Sequence, residues 1–132
     1  MNQRLHEQRS ALPEHVGPMR TAVVSFAQEC GASKLECEQI ALAVSEALSN
    51  SVLHAYAAGP TGPVTVEAWA QNGSLNVVVY DEGGGMLPRL DSPGLGIGLP
   101  LIAQMADHLD IEDRDGQPGV CLRMTFALTA AA

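Results

Sequence analysis

The chain has 132 residues, of which 46% are hydrophobic and 17% charged, and its formal net charge is −8. This length and composition predict one globular domain with a substantial core and argue against intrinsic disorder. Since the seven cations form no basic run, the composition also argues against binding to nucleic acid or to an anionic membrane.

The three cysteines, Cys30, Cys37 and Cys121, have no CxxC spacing. Their odd number argues against a disulfide framework or a zinc ribbon and favours a reducing compartment. The N-terminus has no apolar signal-peptide region, and no apolar run approaches membrane-spanning length. We therefore expect a soluble cytoplasmic protein.

The first half of the chain is predicted to be mainly helical. Residues 1–12 are polar and fit either a frayed arm or a poorly patterned first strand, whereas residues 13–132 are assigned to a single domain. Apolar spacing predicts one helix over residues 13–28. Ser33 is a suitable N-cap for a second helix that runs to about Ala57, before Gly59-Pro60.

The second half is predicted to be mainly strand. "VTVEAW" (64–69) and "LNVVVY" (75–80) have strand character, and Gln71-Asn72-Gly73 between them is a strong hairpin signal. A glycine-rich region (83–98), a short apolar helix, a third strand near "DIED" and a last strand at 121–128 follow. This order predicts an α+β fold, a two-layer sandwich in which helices cover one face of an antiparallel or mixed sheet.

A polar row interrupts the second predicted helix. Glu46, Asn50 and His54 recur every four residues, and on a helical wheel Leu42 and Leu53 lie beside them, opposite the core side. Such a row is either an ordinary helix surface with mutual hydrogen bonds or a stripe that faces a cleft. In a cleft, the asparagine oxygen suits Mg²⁺, and the carboxylate one turn earlier could orient a nucleophile.

Two glycine-rich motifs follow the hairpin. "DEGGG" places Asp81 at a strand end before Gly83 and Gly85, and "GLGIG" places Gly94, Gly96 and Gly98 before a helix. Backbone amides in such loops can bind phosphate, although the same glycines also suit a mobile surface loop. The spacing fits neither a P-loop nor a dinucleotide-binding fingerprint.

In this order, the three motifs resemble the N, G1 and G2 boxes of the GHKL ATP-binding family, which has the Bergerat fold. "EALSNSVLHAY" is most similar to the E-x-x-x-N-A-x-x-H-A-Y pattern of anti-sigma-factor serine kinases of the RsbW and SpoIIAB type. The resemblance covers about residues 13–128, nearly the whole chain.

The resemblance implies ATP and Mg²⁺ as cofactors. Glu46 is then the general base toward a substrate serine, Asn50 the magnesium ligand, and Asp81 the acceptor of a hydrogen bond from the adenine amino group. Further nucleotide contacts are implied for residues in or near the boxes: His54, Gly83, Gly85, Met86, Gly94, Leu95, Gly96, Ile97, Gly98 and Leu99.

The chain departs from the family pattern in two places. The stretch between the glycine boxes, 86–93, is short, which implies an abbreviated ATP lid. The last strand reads Gly119-Val120-Cys121-Leu122 where many relatives have G-T-T-V, so a threonine hydroxyl that helps to bind adenine is missing. Thr125 is a candidate for supplying that hydroxyl.

The resemblance implies a serine/threonine-protein kinase that acts as an anti-sigma factor or partner-switching regulator. Its partners would be a sigma factor or similar regulator and a STAS-type antagonist that it phosphorylates on serine, and it would form a homodimer through the sheet. Two alternatives remain open: a non-catalytic, nucleotide-responsive binding module, and an ATP-binding domain that works in trans with a separate sensor.

Overall fold

A computed structural model of the chain describes residues 3–57, 59–84, 98–114 and 116–129. The elements in chain order are β1 (Arg4–Ser10), α1 (Pro13–Glu29), α2 (Lys34–Asn50), a π-helical segment (Ser51–Ala55), β2 (Pro63–Gln71), β3 (Ser74–Asp81), α3 (Gly98–Met105), β4 (His108–Asp113) and β5 (Val120–Ala127). The strands form a five-stranded sheet in the order β1-β2-β3-β5-β4. Every neighbouring pair is antiparallel.

The predicted hairpin is confirmed as the connection between β2 and β3. Gln71 pairs with Ser74, and the two residues between them, Asn72 and Gly73, both have positive φ (52° and 77°). Two consecutive positive φ values define the turn that matches the twist of antiparallel strands, and asparagine followed by glycine adopts them at low cost.

The polar N-terminal segment is a strand and not a frayed arm. Residues of β1 pair with β2 from Arg4 opposite Trp69 to Ser10 opposite Pro63. As an edge strand, β1 has a single neighbour, and its residues are mostly exposed or half-buried. Its weak apolar alternation therefore reflects its position at the edge of the sheet.

The helices cover one face of the sheet, which confirms the predicted two-layer α+β arrangement. Alternate strand residues, among them Val66, Val77 and Met124, are buried against the helices together with Met19 and Ile40. The opposite face, which we call the open face, carries half-buried polar and aromatic side chains instead. No helix within the described ranges is both long and apolar enough to cross a membrane.

Helix α2 begins at a capping box, as the predicted N-cap requires. The Ser33 hydroxyl accepts a hydrogen bond from the Glu36 amide, and the Glu36 carboxylate accepts one from the Ser33 amide. The same carboxylate also accepts hydrogen bonds from the amide and hydroxyl of Thr129, after β5. Glu36 therefore joins the start of α2 to the C-terminal segment.

The end of α2 differs from the prediction. Regular α-helix stops at Asn50, and Ser51–Ala55 forms a π-helical turn, so the α-helical wheel does not apply as far as His54. Leu42 and Leu53, expected beside the polar row, are 49% and 66% exposed. Such wide turns replace α-helix over short stretches and are frequent at functional sites.

Candidate functional site

The polar row lies at the junction between α2 and the π-helical segment. Asn50 is the last residue of α2 and is 8% exposed, whereas Glu46, one turn earlier, is half-buried. His54 is also half-buried and lies within the π-helical turn. The structure therefore places the asparagine deepest, with the acid and the imidazole nearer to solvent.

The Asn50 side chain has unused hydrogen-bonding capacity. Its buried Nδ2 atom has no hydrogen-bond partner among the described residues. A buried donor without a partner destabilises a protein by about 1–3 kcal/mol, so such a group calls for an explanation. An amide that binds a ligand through its oxygen or nitrogen supplies one.

The chemistry around Asn50 fits magnesium with few protein ligands. In the described part of the chain, no group of three or more histidine, cysteine, aspartate or glutamate side chains could hold a metal. Mg²⁺ is commonly bound through one or two protein oxygens together with water and substrate phosphates. A single amide oxygen from Asn50 is compatible with that mode and not with a protein-only metal cage.

Asp81, the last residue of β3, has a buried carboxylate whose acceptor positions are largely filled. Oδ1 accepts hydrogen bonds from the amides of Gly83 and Val120, both at 3.2 Å. Oδ2 accepts one from the Ser51 hydroxyl at 3.0 Å. Because a carboxylate has about four acceptor positions, the described residues leave one on Oδ2 for a ligand donor.

The pKa of Asp81 is raised above its ordinary value because burial disfavours the charged form. The hydrogen bonds from Gly83, Ser51 and Val120 act in the opposite direction, as does the positive charge of Arg114. The Arg114 guanidinium donates hydrogen bonds to the carbonyl oxygens of Asp81 and Pro118, each at 3.4 Å, and stacks on the Tyr80 ring. Asp81 is thus a buried acceptor.

Gly83 allows the chain after β3 to pack against the π-helical segment. A Cβ atom at Gly83 would lie 1.9 Å from the carbonyl oxygen of Ala55, whereas one at Gly84 would meet no atom of the described residues within 4 Å. Glycine is therefore required at position 83 by a backbone-to-backbone contact. This contact and the bond between Ser51 and Asp81 bring the first two sequence motifs together.

Only part of the third motif falls within the described residues. The predicted short apolar helix is present as α3, which begins at Gly98, one residue earlier than expected, and the Leu99 side chain is fully buried in the core. The Leu99 side chain is therefore used for packing, and a ligand could use only its backbone. Six predicted contacts lie outside the described residues: Gly85, Met86, Gly94, Leu95, Gly96 and Ile97.

Thr125 is not brought to this site. It lies on the open face of the sheet, where its hydroxyl donates to Oδ1 of Asn76, whereas Asp81 lies on the helix-covered face. Side chains alternate between faces along a strand, and Thr125 has the wrong parity for the site. The open face also holds a groove of about 540 Å³ lined by Arg4, Trp69 and Tyr80, among others, and by none of the predicted site residues that the structure describes.

Two site residues, Ser51 and Val120, were not predicted. Ser51 supplies a buried hydroxyl to Asp81, and its signal was available: the chain has serine after Asn50 where the family pattern has alanine. Val120 contributes only its backbone amide, which no side-chain pattern reveals. Gly119 before it has φ of 121°, and a Cβ there would lie 1.9 Å from the Asp81 carbonyl oxygen.

Comparison with known sequences agrees with this geometry. The profile of the histidine kinase-like ATPase domain family matches residues 9–126. The chain is 37% identical over 121 residues to the serine-protein kinase RsbW of Bacillus licheniformis, covering 80% of this chain and 76% of that protein. It is 32% identical over 117 residues to the anti-sigma F factor of Caldanaerobacter subterraneus subsp. tengcongensis, covering 80% of each.

Comparison with solved structures supports the fold. A crystal structure of the RsbU and RsbW domains of a Mycobacterium tuberculosis protein superposes with a TM-score of 0.74 at 24% identity. The match covers 96% of this chain and 32% of that chain, so this chain spans about a third of the larger protein. At this identity the likeness is one of fold.

Proposed function

This chain belongs to the histidine kinase-like ATPase domain family, and we propose that it is an ATP-dependent serine/threonine-protein kinase that acts as an anti-sigma factor or partner-switching regulator. The observation that supports nucleotide binding most directly is the buried Asp81 carboxylate, which has one acceptor position that the described residues do not use. That position suits the exocyclic amino group of adenine, since an ionised carboxylate accepts hydrogen bonds and cannot donate one.

Each polar residue of the α2 junction then has a role. Asn50 contributes an amide oxygen to Mg²⁺, and Glu46, one turn away and partly open to solvent, accepts the proton of a substrate serine hydroxyl. When bound, magnesium neutralises phosphate charge, which matters in a chain of net charge −8. His54, Met86, Leu99 and the glycines of both boxes complete the proposed nucleotide contacts.

The proposed partners follow from the names of the relatives. Two of the similar proteins are an anti-sigma F factor and a serine-protein kinase. We therefore assign this chain a sigma factor or similar regulator as one partner and a STAS-domain antagonist as its phosphorylation substrate. The three cysteines are free thiols, which suits a cytoplasmic location.

We also propose a homodimer formed through the open face. On this face the Arg4 guanidinium carbon lies 4.6 Å from the centroid of the Trp69 ring. The neighbouring groove is lined by charged side chains of both signs. Arginine and tryptophan are enriched at protein interfaces. Sedimentation velocity of the wild type and of Trp69→Glu tests this: a dimer that dissociates in the variant supports it, and a monomeric wild type contradicts it.

A non-catalytic, nucleotide-responsive module is the second candidate. Two features favour it: the missing threonine at the start of β5, and the position of Thr125 on the open face, away from Asp81. A half-buried Glu46 one turn before Asn50 favours the kinase, because a module that only binds ATP has no need of a base. Phosphotransfer decides between the two candidates.

Calorimetry with ATP and MgCl₂ is the first experiment. We expect magnesium-dependent binding by the wild type and loss of binding in Asn50→Ala and Asp81→Asn. Asp110→Asn, the same chemical change on an exposed residue of β4, serves as the matched control. Absence of binding by the wild type would overturn both candidate functions.

Phosphotransfer is then measured with γ-labelled ATP and purified STAS-domain proteins from the same organism. A kinase should label one of them on serine, and Glu46→Gln should retain ATP binding while losing the transfer. A Glu46→Gln variant with undiminished transfer would remove Glu46 from the mechanism. Binding of ATP by the wild type without transfer to any STAS protein would favour the module.

A further inference from the structure

Tyr56 inserts its hydroxyl group between β2 and β3 where the two strands separate. The last pair in their register is Val64 with Asp81, and the next residues along the two strands are Pro63 and Glu82. The Tyr56 hydroxyl donates to the Pro63 carbonyl oxygen at 2.5 Å and accepts from the Glu82 amide at 2.9 Å. The side chain thus bridges two backbone groups at the end of this strand pair.

The bridge lies next to the turn that the chain makes after Asp81. The Glu82 amide bonds to the tyrosine hydroxyl, and the following residue, Gly83, lies against the Ala55 carbonyl of the π-helical segment. From that position the Gly83 amide donates to Oδ1 of Asp81. Tyr56 does not touch the carboxylate through a hydrogen bond, but it positions a backbone group that does.

The tyrosine ring is itself held in place. A Cβ atom on Gly62 would lie 2.6 Å from the ring, so the chain before β2 passes directly against it. Burial raises the pKa of the Tyr56 hydroxyl, which therefore stays protonated and able to donate at neutral pH. The negative charges of Asp81 and Glu82 act in the same direction, whereas Arg114 and the Glu82 amide act against it.

We infer that Tyr56 is a positioning residue for base recognition: its hydroxyl fixes the Glu82–Gly83 backbone and thereby aligns the Asp81 carboxylate with the amino group of the bound base. The inference rests on the proposed function, because it presupposes that Asp81 receives a purine. It assigns a role in nucleotide specificity to a residue outside the predicted set of nucleotide contacts.

The test compares ATP with purine riboside 5′-triphosphate, which lacks the 6-amino group, by calorimetry in the presence of Mg²⁺. Tyr56→Phe removes the hydroxyl and keeps the ring that packs on Gly62. We expect ATP to bind about threefold to tenfold more weakly, the effect of one hydrogen bond, while the analogue changes by less than about twofold.

Tyr80→Phe is the matched control, since Tyr80 is the other tyrosine of the chain and its hydroxyl donates to Glu67 on the open face. Equal weakening of both nucleotides by Tyr56→Phe would overturn the inference and indicate a general structural role. Unchanged ATP affinity in Tyr56→Phe, with normal binding by the wild type, would overturn it without affecting the proposed function. Failure of the wild type to bind ATP would overturn both.

Discussion

Replacing Gly83 with alanine should destabilise the protein, whereas the same change at the adjacent Gly84 should not. The new Cβ at position 83 would lie 1.9 Å from the Ala55 carbonyl oxygen, and real Cβ contacts are essentially never shorter than 3.0 Å. One of the two backbones must therefore move by about 1 Å, and overpacking of this kind typically costs about 1–3 kcal/mol. At Gly84 a Cβ would have no neighbour within 4 Å in the part of the chain that the structure describes.

The pair of variants separates the contact from other effects of alanine. Both substitutions reduce the conformational entropy of the unfolded chain, which by itself stabilises by about 0.4–1 kcal/mol. The difference between their free energies of unfolding, measured by urea titration, therefore reports the contact with Ala55. Equal stabilities would show that the chain at Gly83 is not packed against the π-helical segment.

Two predictions concern pH. The pKa of Asp81 is raised, and the charged carboxylate accepts the hydrogen bond from the base, so ATP affinity should begin to fall at a higher pH than the pKa of an ordinary aspartate would predict. Purine riboside 5′-triphosphate, titrated in parallel, controls for protonation of the phosphates. If the affinities of the two nucleotides fall in parallel with pH, the assignment of Asp81 is contradicted. The pKa of Glu36 is lowered to about 2 by hydrogen bonds from Ser33 and Thr129, so its contribution to stability is complete above the ordinary value of 4.5 and is lost as the pH falls toward about 2. Glu36→Gln should flatten the decline of the urea midpoint over that range, and a decline parallel to that of the wild type would refute the assignment.

Most elements of the fold could be predicted because their signals are local. The Asn72-Gly73 turn and the N-cap at Ser33 each depend on a few adjacent residues, and both occur as predicted. The sequence does not distinguish strand β1 from a frayed arm, because an edge strand needs little apolar alternation. The π-helical turn after Asn50 was missed because no local residue pattern distinguishes it from a continuing α-helix.

The site was predicted less completely, for a different physical reason. Glu46, Asn50 and Asp81 have side chains that suggest chemistry, whereas the groups that hold Asp81 in place come from distant parts of the chain. The hydroxyl of Ser51 lies 30 residues away in sequence, and the amide of Val120 lies 39 residues away. Backbone donors and long-range hydrogen bonds leave no periodicity in a single sequence.

We hypothesise that the Ser51 hydroxyl replaces the threonine hydroxyl missing at the start of β5. Where many relatives have threonine, this chain has Val120, and the Asp81 carboxylate instead accepts a hydrogen bond from Ser51 at 3.0 Å. If positions 51 and 120 are interchangeable sources of this hydroxyl, Ser51→Ala should weaken ATP binding. The loss should not exceed about 3 kcal/mol, the upper end of the range for a hydrogen bond to a charged group.

Adding Val120→Thr to Ser51→Ala should then restore much of that affinity, because Val120 adjoins the same carboxylate through its amide. Calorimetry on the two single variants and the double variant, with Ser49→Ala as the control on the neighbouring turn, measures the coupling. Additive effects of the two substitutions would show that Ser51 and the residue at position 120 act independently, and the hydroxyl of Ser51 would then have a role of its own in holding Asp81.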